Sequence, residues 1–338
     1  MSAPTMQDAR DLARLEFARR HLGPQTPPPV RASSDAGFRS YWRCVAPDGS
    51  SRILMDSPPE RERVEPWLAM QARLSQGGVR VPQVLARDAE NGWLLLEDLG
   101  RETLLDHITQ DTADDWMARA IAQLVTLQRI EVASDSGAFD EALVRRDMGL
   151  FRDWFLSHHL GLTLLPAELD LLEAATRHLL AALLTQPQVL VHRDYILRNL
   201  MPLRDGVAVL DFQDAVRGPL AYDAASLFED AFISWPPDRV ARWQADYHSA
   251  AHRAGLPVPA LDALRRDLSL VAIQRHLKIL GIFARLHHRD AKPRYLEDAP
   301  RFLAYLDRAL PQHRELSALH ALLRARVFPA LAPMELPA

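Results

Sequence analysis

The chain has 338 residues, and 48% of them are hydrophobic, which is enough apolar material for one large or two moderate domains. A formal net charge of −4 gives no electrostatic basis for binding nucleic acid or an anionic membrane surface. The single cysteine, Cys44, cannot form an internal disulfide, and no apolar run approaches the roughly 18 residues of a membrane span. We therefore expect a cytoplasmic protein with neither nucleic-acid nor membrane partners; a monomer is the expected oligomeric state.

The first hundred residues predict one helix followed by short strands. Apolar side chains recur at helical spacing over residues 5–22. Strand-like segments follow at 38–46 and 51–55, and residues 93–96 read as a buried strand. Between the second and third of these strands, Ser57-Pro58-Pro59-Glu60 has the N-cap serine, the early proline and the glutamate that predict a helix start.

Beyond Gly100 the apolar pattern becomes helical. Segments with a period of 3.6 residues lie at 112–130, 141–159, 167–184, 219–233, 238–254, 260–289, 298–310 and 312–325. The change of period predicts an α+β chain with two lobes. We place the N-terminal, nucleotide-binding lobe at 1–97 and the helical, catalytic lobe at 98–338, with a hinge near Glu97 to Gly100.

Residues 189–223 carry the pattern that is most informative about chemistry. The apolar run 189–191 leads into His192-Arg193-Asp194, and Asn199 follows after four intervening residues. A second apolar run, 207–210, leads into Asp211-Phe212, and we expect a hairpin between Asn199 and Asp211, in which Gly206 turns the chain. This is the spacing of a kinase catalytic loop followed by a metal-binding loop.

The same spacing assigns roles to three residues. Phosphoryl transfer needs a carboxylate within hydrogen-bonding reach of the acceptor hydroxyl, and we predict Asp194 as this base. It also needs oxygen ligands for Mg²⁺, for which we predict Asn199 and Asp211. His192 is expected to order the loop, and Asp223 to cap a helix or to accept hydrogen bonds from the catalytic-loop backbone.

The motifs HRDYILRN and VLDFQ, with Gly218-Pro219 and Tyr222-Asp223 after them, resemble those of the aminoglycoside phosphotransferase family. The resemblance covers nearly the whole chain. It implies a bilobal protein-kinase-like fold, with a small antiparallel-sheet lobe and a larger helical lobe, and it implies ATP and Mg²⁺. Gly218-Pro219 follows Asp211 at once, without a protein-kinase activation segment, which indicates a small acceptor molecule.

Within that family, the stretches LMDSPPE, LLLEDLG, DFQDAVRGPLAYD and QRHLKILGIFARL look like those of bacterial kinases that phosphorylate the anomeric C1 hydroxyl of N-acetylmuramate and N-acetylglucosamine. This resemblance implies an amino sugar as the small-molecule partner. It also implies that the product is an α-1-phosphate used in peptidoglycan recycling.

The nucleotide-binding positions follow from the same resemblance. Ser33 and Ser34 stand where the loop over the phosphates should lie. Glu97 and Leu99 stand at the lobe junction, where backbone groups of such folds bind adenine. Arg43 is a further candidate for the nucleotide.

The family's third strand normally supplies a lysine to the phosphates, paired with a helix glutamate. The only lysines in this chain are Lys278 and Lys292, and the corresponding strand has Met55. The phosphate charge must then be met by Mg²⁺ and by arginines, for which the candidates are Arg39, Arg43 and Arg52. Glu60 and Glu65 are the candidate helix carboxylates.

Five positions are candidates for acceptor binding beside Asp194. Gln213, Asp214 and Arg217 follow the predicted metal ligand closely. Arg275 and Lys278 lie three residues apart on one helix face, where they could meet a polar or anionic group such as a lactyl carboxylate. The alternative is that these two residues form a solvated basic face.

Two other functions stay open on the sequence alone. The first is a different small-molecule phosphotransferase, such as an aminoglycoside or amino-alcohol kinase, although a cationic acceptor would favour an acidic or aromatic pocket. The second is a catalytically silent nucleotide-binding module. The missing lysine favours this second function, and the presence of Asp194, Asn199 and Asp211 argues against it.

Overall fold

Backbone contacts divide this computed structural model, which describes residues 6–33, 38–132 and 137–331, into two units. The first unit comprises Met1–Ile108 together with Arg198–Gln213, and the second comprises Thr109–Leu197 and Asp214–Ala338. Asp194 therefore belongs to the second unit, whereas Asn199 and Asp211 belong to the first.

The first unit is built on a five-stranded antiparallel sheet with the strand order β1-β2-β3-β5-β4. This confirms the predicted antiparallel sheet near the N-terminus. Its strands are β1 (Val30–Ser33), β2 (Ser40–Val45), β3 (Ser51–Asp56), β4 (Val84–Asp88) and β5 (Trp93–Glu97), and its helices are α1 (Met6–Leu22), α2 (Glu65–Gln76) and α3 (Leu104–His107).

Helix α1 contributes to the hydrophobic core of this sheet. Phe17 and Ala18 belong to one buried cluster with side chains of the three central strands β2, β3 and β5. These side chains are Cys44, Leu54, Trp93 and Leu95. The carboxylate of Asp56, at the end of β3, accepts hydrogen bonds from Arg10 (2.6 Å) and Arg14 (3.0 Å) of α1. Burial raises the pKa of Cys44 to about 11, so its thiol stays protonated.

The predicted helix start at Ser57 is wrong, because α2 begins at Glu65. The backbone N–H of Ser57 donates to the carbonyl of Gly92 (2.9 Å), and its hydroxyl donates to the carbonyl of Glu62 (2.8 Å) instead of capping a helix. Gly92 has φ +75°, and a Cβ there would lie 1.8 Å from the Ser57 carbonyl oxygen. The close approach of the two backbones therefore holds Ser57 against the β4–β5 turn.

The apolar run before His192 forms β6 (Gln188–Val191), which pairs with β9 (Val216–Pro219) in the second unit. In the first unit, β7 (Leu200–Leu203) pairs with β8 (Gly206–Val209), which confirms the predicted hairpin between Asn199 and Asp211 with its turn at Gly206. The sequence did not indicate the pairing of β6 with β9, because strand pairing is decided by tertiary contacts rather than by local sequence.

The second unit is mostly helical, as predicted. Helix α5 continues without a break into a π-helical segment at Phe151–His159. The predicted helix at 312–325 is only partly α-helical: short 3-10 segments come first, the α-helix runs over Ser317–Leu322, and a π-helical segment follows. The helices are α4 (Ala113–Gln128), α5 (Glu141–Leu150), α6 (Pro166–Leu184), α7 (Ala221–Phe228), α8 (Pro237–Arg253), α9 (Leu261–Asp290), α10 (Ala299–Ala309), α11 (Ser317–Leu322) and α12 (Phe328–Leu331).

Helix α9 is the central element of the second unit. It contacts α5, the π-helical segment, α7 and α10, and consecutive residues on all its sides are buried between Leu270 and Gly281. A Cβ at Gly281 would lie 2.3 Å from the backbone carbonyl carbon of Leu150, so only glycine permits this helix crossing. In the ranges that the structure describes, no helix has the combined length and apolar character needed to cross a bilayer.

Candidate active site

The loop that carries Asp194 is held by a buried carboxylate from α7. Asp223 is fully buried and accepts hydrogen bonds from the backbone N–H groups of His192 (2.6 Å) and Arg193 (2.9 Å). Arg193 has φ 78°, a conformation that costs free energy for a residue with a side chain. The hydrogen bonds that Asp223 accepts help to hold this strained backbone, which confirms the expected contact between Asp223 and the catalytic loop.

A second buried carboxylate, which sequence reasoning missed, holds the other end of the loop. Asp230 accepts hydrogen bonds from the N–H groups of Leu197 and Phe232, both at 2.8 Å. Burial raises the pKa of Asp230 to about 6, against the opposing effect of these two hydrogen bonds. The signal that could have found it is the acidic pair Glu229-Asp230 between apolar residues directly after α7.

Asp194 lies between these two anchor points, and its side chain is exposed. The surrounding protein disfavours its charged form, but the positive charges of Lys278 and Arg275 outweigh this effect and lower its pKa. His192 contributes in the same direction, and its Nδ1 accepts a hydrogen bond from the Asp194 N–H (3.3 Å). Asp194 is therefore an ionised carboxylate at neutral pH, as a general base must be.

Lys278 is a buried cation on α9, only 8% exposed. Its Nζ lies 3.4 Å from the Tyr222 hydroxyl and 3.8 Å from Oδ2 of Asp147. Burial lowers the pKa of Lys278, but Tyr222 and the carboxylates of Asp194 and Asp147 together outweigh burial and raise it. The amine therefore stays charged, and it is one of the groups that keep Asp194 ionised.

Arg275, one turn earlier on α9, is also buried, at 3% exposure. Its guanidinium carbon lies 5.6 Å from the centre of the Tyr222 ring, and its Nη1 has no hydrogen-bond partner among the described residues. Neighbouring Gln274 is fully buried with both amide atoms unpartnered in the same part of the structure. The alternative of a solvated basic face is thus wrong: this face of α9 points into the second unit.

The predicted metal ligands lie together at the open end of the β7–β8 hairpin. The N–H of Leu210 donates to the carbonyl of Asn199 (2.8 Å), which continues the strand register to the residue before Asp211. Asp211 has φ 60°, and its Oδ1 accepts a hydrogen bond from Nε2 of Gln213 (2.8 Å). Gln213, predicted to contact the acceptor, thus contacts a predicted metal ligand.

This donor set fits Mg²⁺, which takes oxygen ligands and usually keeps phosphate oxygens and water in its shell. Asn199 and Asp211 would supply two protein oxygens. Among the described residues, no group of three His, Cys, Asp or Glu side chains is already arranged to hold a metal ion. A nucleotide's phosphate oxygens would therefore have to complete the shell.

The other two candidates for acceptor binding near Asp211, Asp214 and Arg217, have exposed side chains. Asp214 directly follows Gln213 and is exposed. Arg217 lies in β9 opposite Leu190, with its backbone bonded to Gly137 and its side chain exposed. Their roles stay predictions.

The predicted nucleotide residues are engaged in contacts within the first unit. Arg43 donates to both carboxylate oxygens of Asp98 (2.6 and 3.0 Å) and to the carbonyl of Gly100 (2.7 Å). Burial raises the pKa of Asp98, but the hydrogen bonds from Arg43, Ser51 and the Gly100 N–H outweigh it and lower that pKa. The guanidinium of Arg43 therefore orders residues 98–100, and its predicted contact with the nucleotide would need some of these bonds to change.

The remaining nucleotide candidates are placed as follows. The carboxylate of Glu97 accepts a hydrogen bond from Arg80 (2.8 Å), and Leu99 is half-buried two residues later. Ser33 ends β1 and is exposed, and Ser34 lies outside the described residues. Their binding roles stay predictions.

Met55 occupies the strand position of the missing lysine and is fully buried, opposite Tyr41 and Leu94. Arg39, one of the three candidate arginines, lies directly before β2. Its Nη2 lies 3.1 Å from Oε1 of Glu62, and its Nη1 is buried without a partner in the described part of the chain.

Neither predicted helix carboxylate makes this kind of contact. Glu65 forms an exposed ion pair with Arg63 (2.9 Å), and the side chain of Glu60 is exposed. The glutamate that pairs with Arg39 is Glu62, which lies in the segment before α2. The roles of Glu60 and Glu65 stay predictions.

Comparison with known proteins agrees with this geometry. The model named "Phosphotransferase enzyme family" matches residues 30–266. The chain is 46% identical over 293 residues to the N-acetylmuramate/N-acetylglucosamine kinase of Pseudomonas putida, covering 86% of each chain. It is 42% identical to the protein of the same name from Neisseria meningitidis, covering 86% of this chain and 88% of that one.

Solved structures with low sequence identity show the fold. A choline/ethanolamine kinase family protein from Mesorhizobium loti aligns with a TM-score of 0.61 at 16% identity, covering 91% of this chain and 99% of that one. An ADP-bound aminoglycoside phosphotransferase aligns with a TM-score of 0.60 at 14% identity, covering 87% and 97%. The predicted α+β, protein-kinase-like fold is thereby confirmed.

The raised pKa of Asp230 generates a prediction about stability. Its folded-state value of about 6 exceeds the ordinary value of 3.8, so between these pH values the folded protein binds more protons than the unfolded chain. The stability contributed by Asp230 is then lost as pH rises from about 4 to about 6, by up to about 1.4 kcal/mol per pH unit. We expect Asp230→Asn to abolish this loss.

Urea unfolding of wild type and Asp230→Asn at pH 5 and pH 7 measures the difference. Asp246→Asn, at an exposed position of α8, is the matched control and should keep the wild-type pH dependence. An Asp230→Asn protein whose stability changes with pH as the wild type's does would contradict the assignment.

Proposed function

This chain belongs to the phosphotransferase enzyme family, and we propose that it is an ATP-dependent sugar kinase acting on the anomeric C1 hydroxyl of N-acetylmuramate and N-acetylglucosamine. The observation that carries the proposal is the identity of 42–46% to three kinases named for those two sugars, over most of each chain. The product would be the α-1-phosphate, which enters peptidoglycan recycling. We propose the cytoplasm as its location, because ATP is available there.

In the proposed reaction, Asp194 accepts the proton of the C1 hydroxyl as the C1 oxygen bonds to the γ-phosphorus of ATP. The bond from that phosphorus to the β–γ bridging oxygen breaks, and ADP leaves with the electron pair. The lowered pKa of Asp194, caused by Lys278 and Arg275, supports this role because the carboxylate must be ionised beforehand.

The other residues bind or position the reacting groups. Asn199 and Asp211 would hold Mg²⁺, with Gln213 fixing the orientation of the Asp211 carboxylate. The metal would neutralise negative charge that develops on the phosphates during transfer. Asp223 and Asp230 act through the loop backbone and are positioning residues.

We propose different roles for the two buried cations of α9. Lys278 already has Asp147 and Tyr222 as neighbours, so its charge serves mainly to keep Asp194 ionised. Arg275 retains an unpartnered Nη1 and can form a charge-assisted hydrogen bond with the lactyl carboxylate of N-acetylmuramate. The two positive charges also disfavour the cationic acceptors of aminoglycoside and amino-alcohol kinases.

We propose Arg39 as the cation that replaces the missing lysine at the ATP phosphates. Its ion pair with Glu62 resembles the lysine–glutamate pair of protein kinases in charge, and its buried, unpartnered Nη1 is a free donor.

The central prediction concerns the acceptor and the position of transfer. We expect ATP consumption with N-acetylmuramate and N-acetylglucosamine, and none above background with aminoglycosides, choline or ethanolamine. Phosphorus NMR should show a phosphate on C1. Asp194→Asn should lower turnover roughly 10²–10⁴-fold, since the general base is lost while the site is otherwise conserved.

The outcomes separate the alternatives. A C6 phosphate would overturn the anomeric assignment, and turnover of an amino alcohol would favour the other kinase class. Wild-type protein that binds Mg-ATP but phosphorylates no acceptor would support a silent nucleotide-binding module. Near-full turnover of Asp194→Asn would remove Asp194 as the base.

The proposed roles of Arg275 and Lys278 predict different kinetic effects of their substitution on the two sugars. Arg275→Gln should raise KM for N-acetylmuramate roughly tenfold or more and change KM for N-acetylglucosamine little, because only the first sugar carries a carboxylate. Lys278→Met should lower kcat for both sugars and shift the acid limb of the pH–rate profile to higher pH, because Asp194 loses a neighbouring positive charge. Equal losses for both sugars in Arg275→Gln would contradict the carboxylate contact.

Arg39→Met tests the phosphate assignment. We expect KM for ATP to rise roughly tenfold or more, with KM for the sugar unchanged, because a charge-assisted hydrogen bond to phosphate is lost. Arg63→Met is the matched control, since Arg63 forms only an exposed ion pair in the same region. Steady-state kinetics in which both variants keep the wild-type KM for ATP would exclude Arg39 from the phosphate site.

A further inference from the structure

Two pairs of adjacent histidines, far apart in sequence, meet in the second unit. His158 and His159 end the π-helical segment, and His287 and His288 lie in the last turn of α9. The His159 Nδ1 is 3.2 Å from the His288 Nε2. The ring of His288 lies 4.5 Å from the rings of both His158 and His287. We call these four residues the histidine cluster.

The cluster is separate from the candidate active site. Lys278 and His288 are both on α9 and are ten residues apart, which corresponds to about 15 Å along a helix. Neither the proposed kinase reaction nor the packing of the core requires four imidazoles at this place. Histidines 158 and 288 are exposed, and 159 and 287 are half-buried.

The spacing of two nitrogens in the cluster suits one metal ion. A tetrahedral ion with metal–nitrogen bonds of about 2.0–2.1 Å holds two imidazole nitrogens about 3.4 Å apart. The observed 3.2 Å between His159 Nδ1 and His288 Nε2 is close to this value. A single hydrogen bond would also fit that distance, but it would not account for two further imidazoles around His288. The Nδ1 of His287 is in addition buried without a partner among the described residues.

A metal ion binds the lone pair of a neutral imidazole. The nearest acidic group along the helix, Asp290, is already bonded to Arg289 through both carboxylate oxygens (2.8 Å each). Asp290 therefore pairs with Arg289 rather than with an imidazole of the cluster.

We propose that His159 and His288 bind a divalent transition-metal ion such as Zn²⁺, Ni²⁺ or Cu²⁺, with His158 or His287 as the third ligand. Imidazole suits these ions, whereas Mg²⁺ prefers oxygen, so the site would not compete for the metal of phosphoryl transfer. No three such side chains of the described residues already converge on one point, so the third ligand reaches the ion by a change of side-chain rotamer.

Metal binding would have a structural consequence for the kinase. It would link the π-helical segment to the end of α9, the same helix that carries Arg275 and Lys278. A ligand that binds only the folded state raises the stability of that state.

The test uses the full-length chain without a polyhistidine tag, freed of metal by a chelator. Calorimetric titration with ZnCl₂ should give saturable binding of one ion, and electron paramagnetic resonance with CuCl₂ should show splitting from nitrogen ligands. His159→Gln and His288→Gln should each weaken zinc binding roughly tenfold or more, because each removes one of two pre-positioned ligands. The melting temperature should rise with ZnCl₂ in wild type and stay unchanged in the double variant.

The control variant is His107→Gln, at an exposed histidine of the first unit, which should bind zinc as wild type does. Equal melting temperatures of all variants without metal show that they fold. Binding by wild type that is no tighter than binding by the double variant would overturn the proposal. Loss of zinc binding in His158→Gln or in His287→Gln identifies the third ligand, and unchanged binding in both would exclude a three-histidine site. None of these results depends on kinase activity.

Discussion

The charge of Asp194 depends on two buried cations that the same long helix supplies. The protein around Asp194 disfavours its ionised form, and Lys278 and Arg275 of α9 reverse that effect. Burial of two cations costs free energy, which their own neighbours must offset. Asp147 and Tyr222 do so for Lys278, and burial alone would otherwise lower the pKa of that amine. Asp194, which we propose as the base, therefore forms one electrostatic system with Lys278, Arg275 and their partners, and this system depends on the position of α9.

The backbone around the base is positioned by carboxylates rather than by apolar packing alone. Asp223 binds the loop before Asp194, and Asp230 binds it after. Each of these buried carboxylates accepts two backbone hydrogen bonds and so holds the loop in one conformation. The loop is strained at Arg193, where φ is 78°. Burial raises the pKa of both carboxylates. Holding the loop with these two groups therefore lowers the free energy of unfolding near neutral pH relative to acidic pH.

The strand lysine of related kinases is absent here, and Met55 fills its position as a core residue. The first unit has a cation–carboxylate pair elsewhere, between Arg39 before β2 and Glu62 before α2. Arg43, which seemed equally suitable in sequence, is bonded to Asp98. The sequence offered three arginines as candidates for the phosphates and could not rank them. Our proposal of Arg39 rests on the Nη1 that it keeps unpartnered among the described residues after folding.

The sequence by itself determined the fold class and the phosphotransfer chemistry. The change from strand to helix period defined the sheet and the helices, and the spacing of Asp194, Asn199 and Asp211 defined the reaction, because both signals are local. Only the tertiary structure decided how strands pair, that Arg275 and Lys278 are buried, and that Asp230 holds the catalytic loop. The physical reason is that a helix buried on all sides has no polar face to reveal its orientation, and that buried charges are balanced by residues distant in sequence.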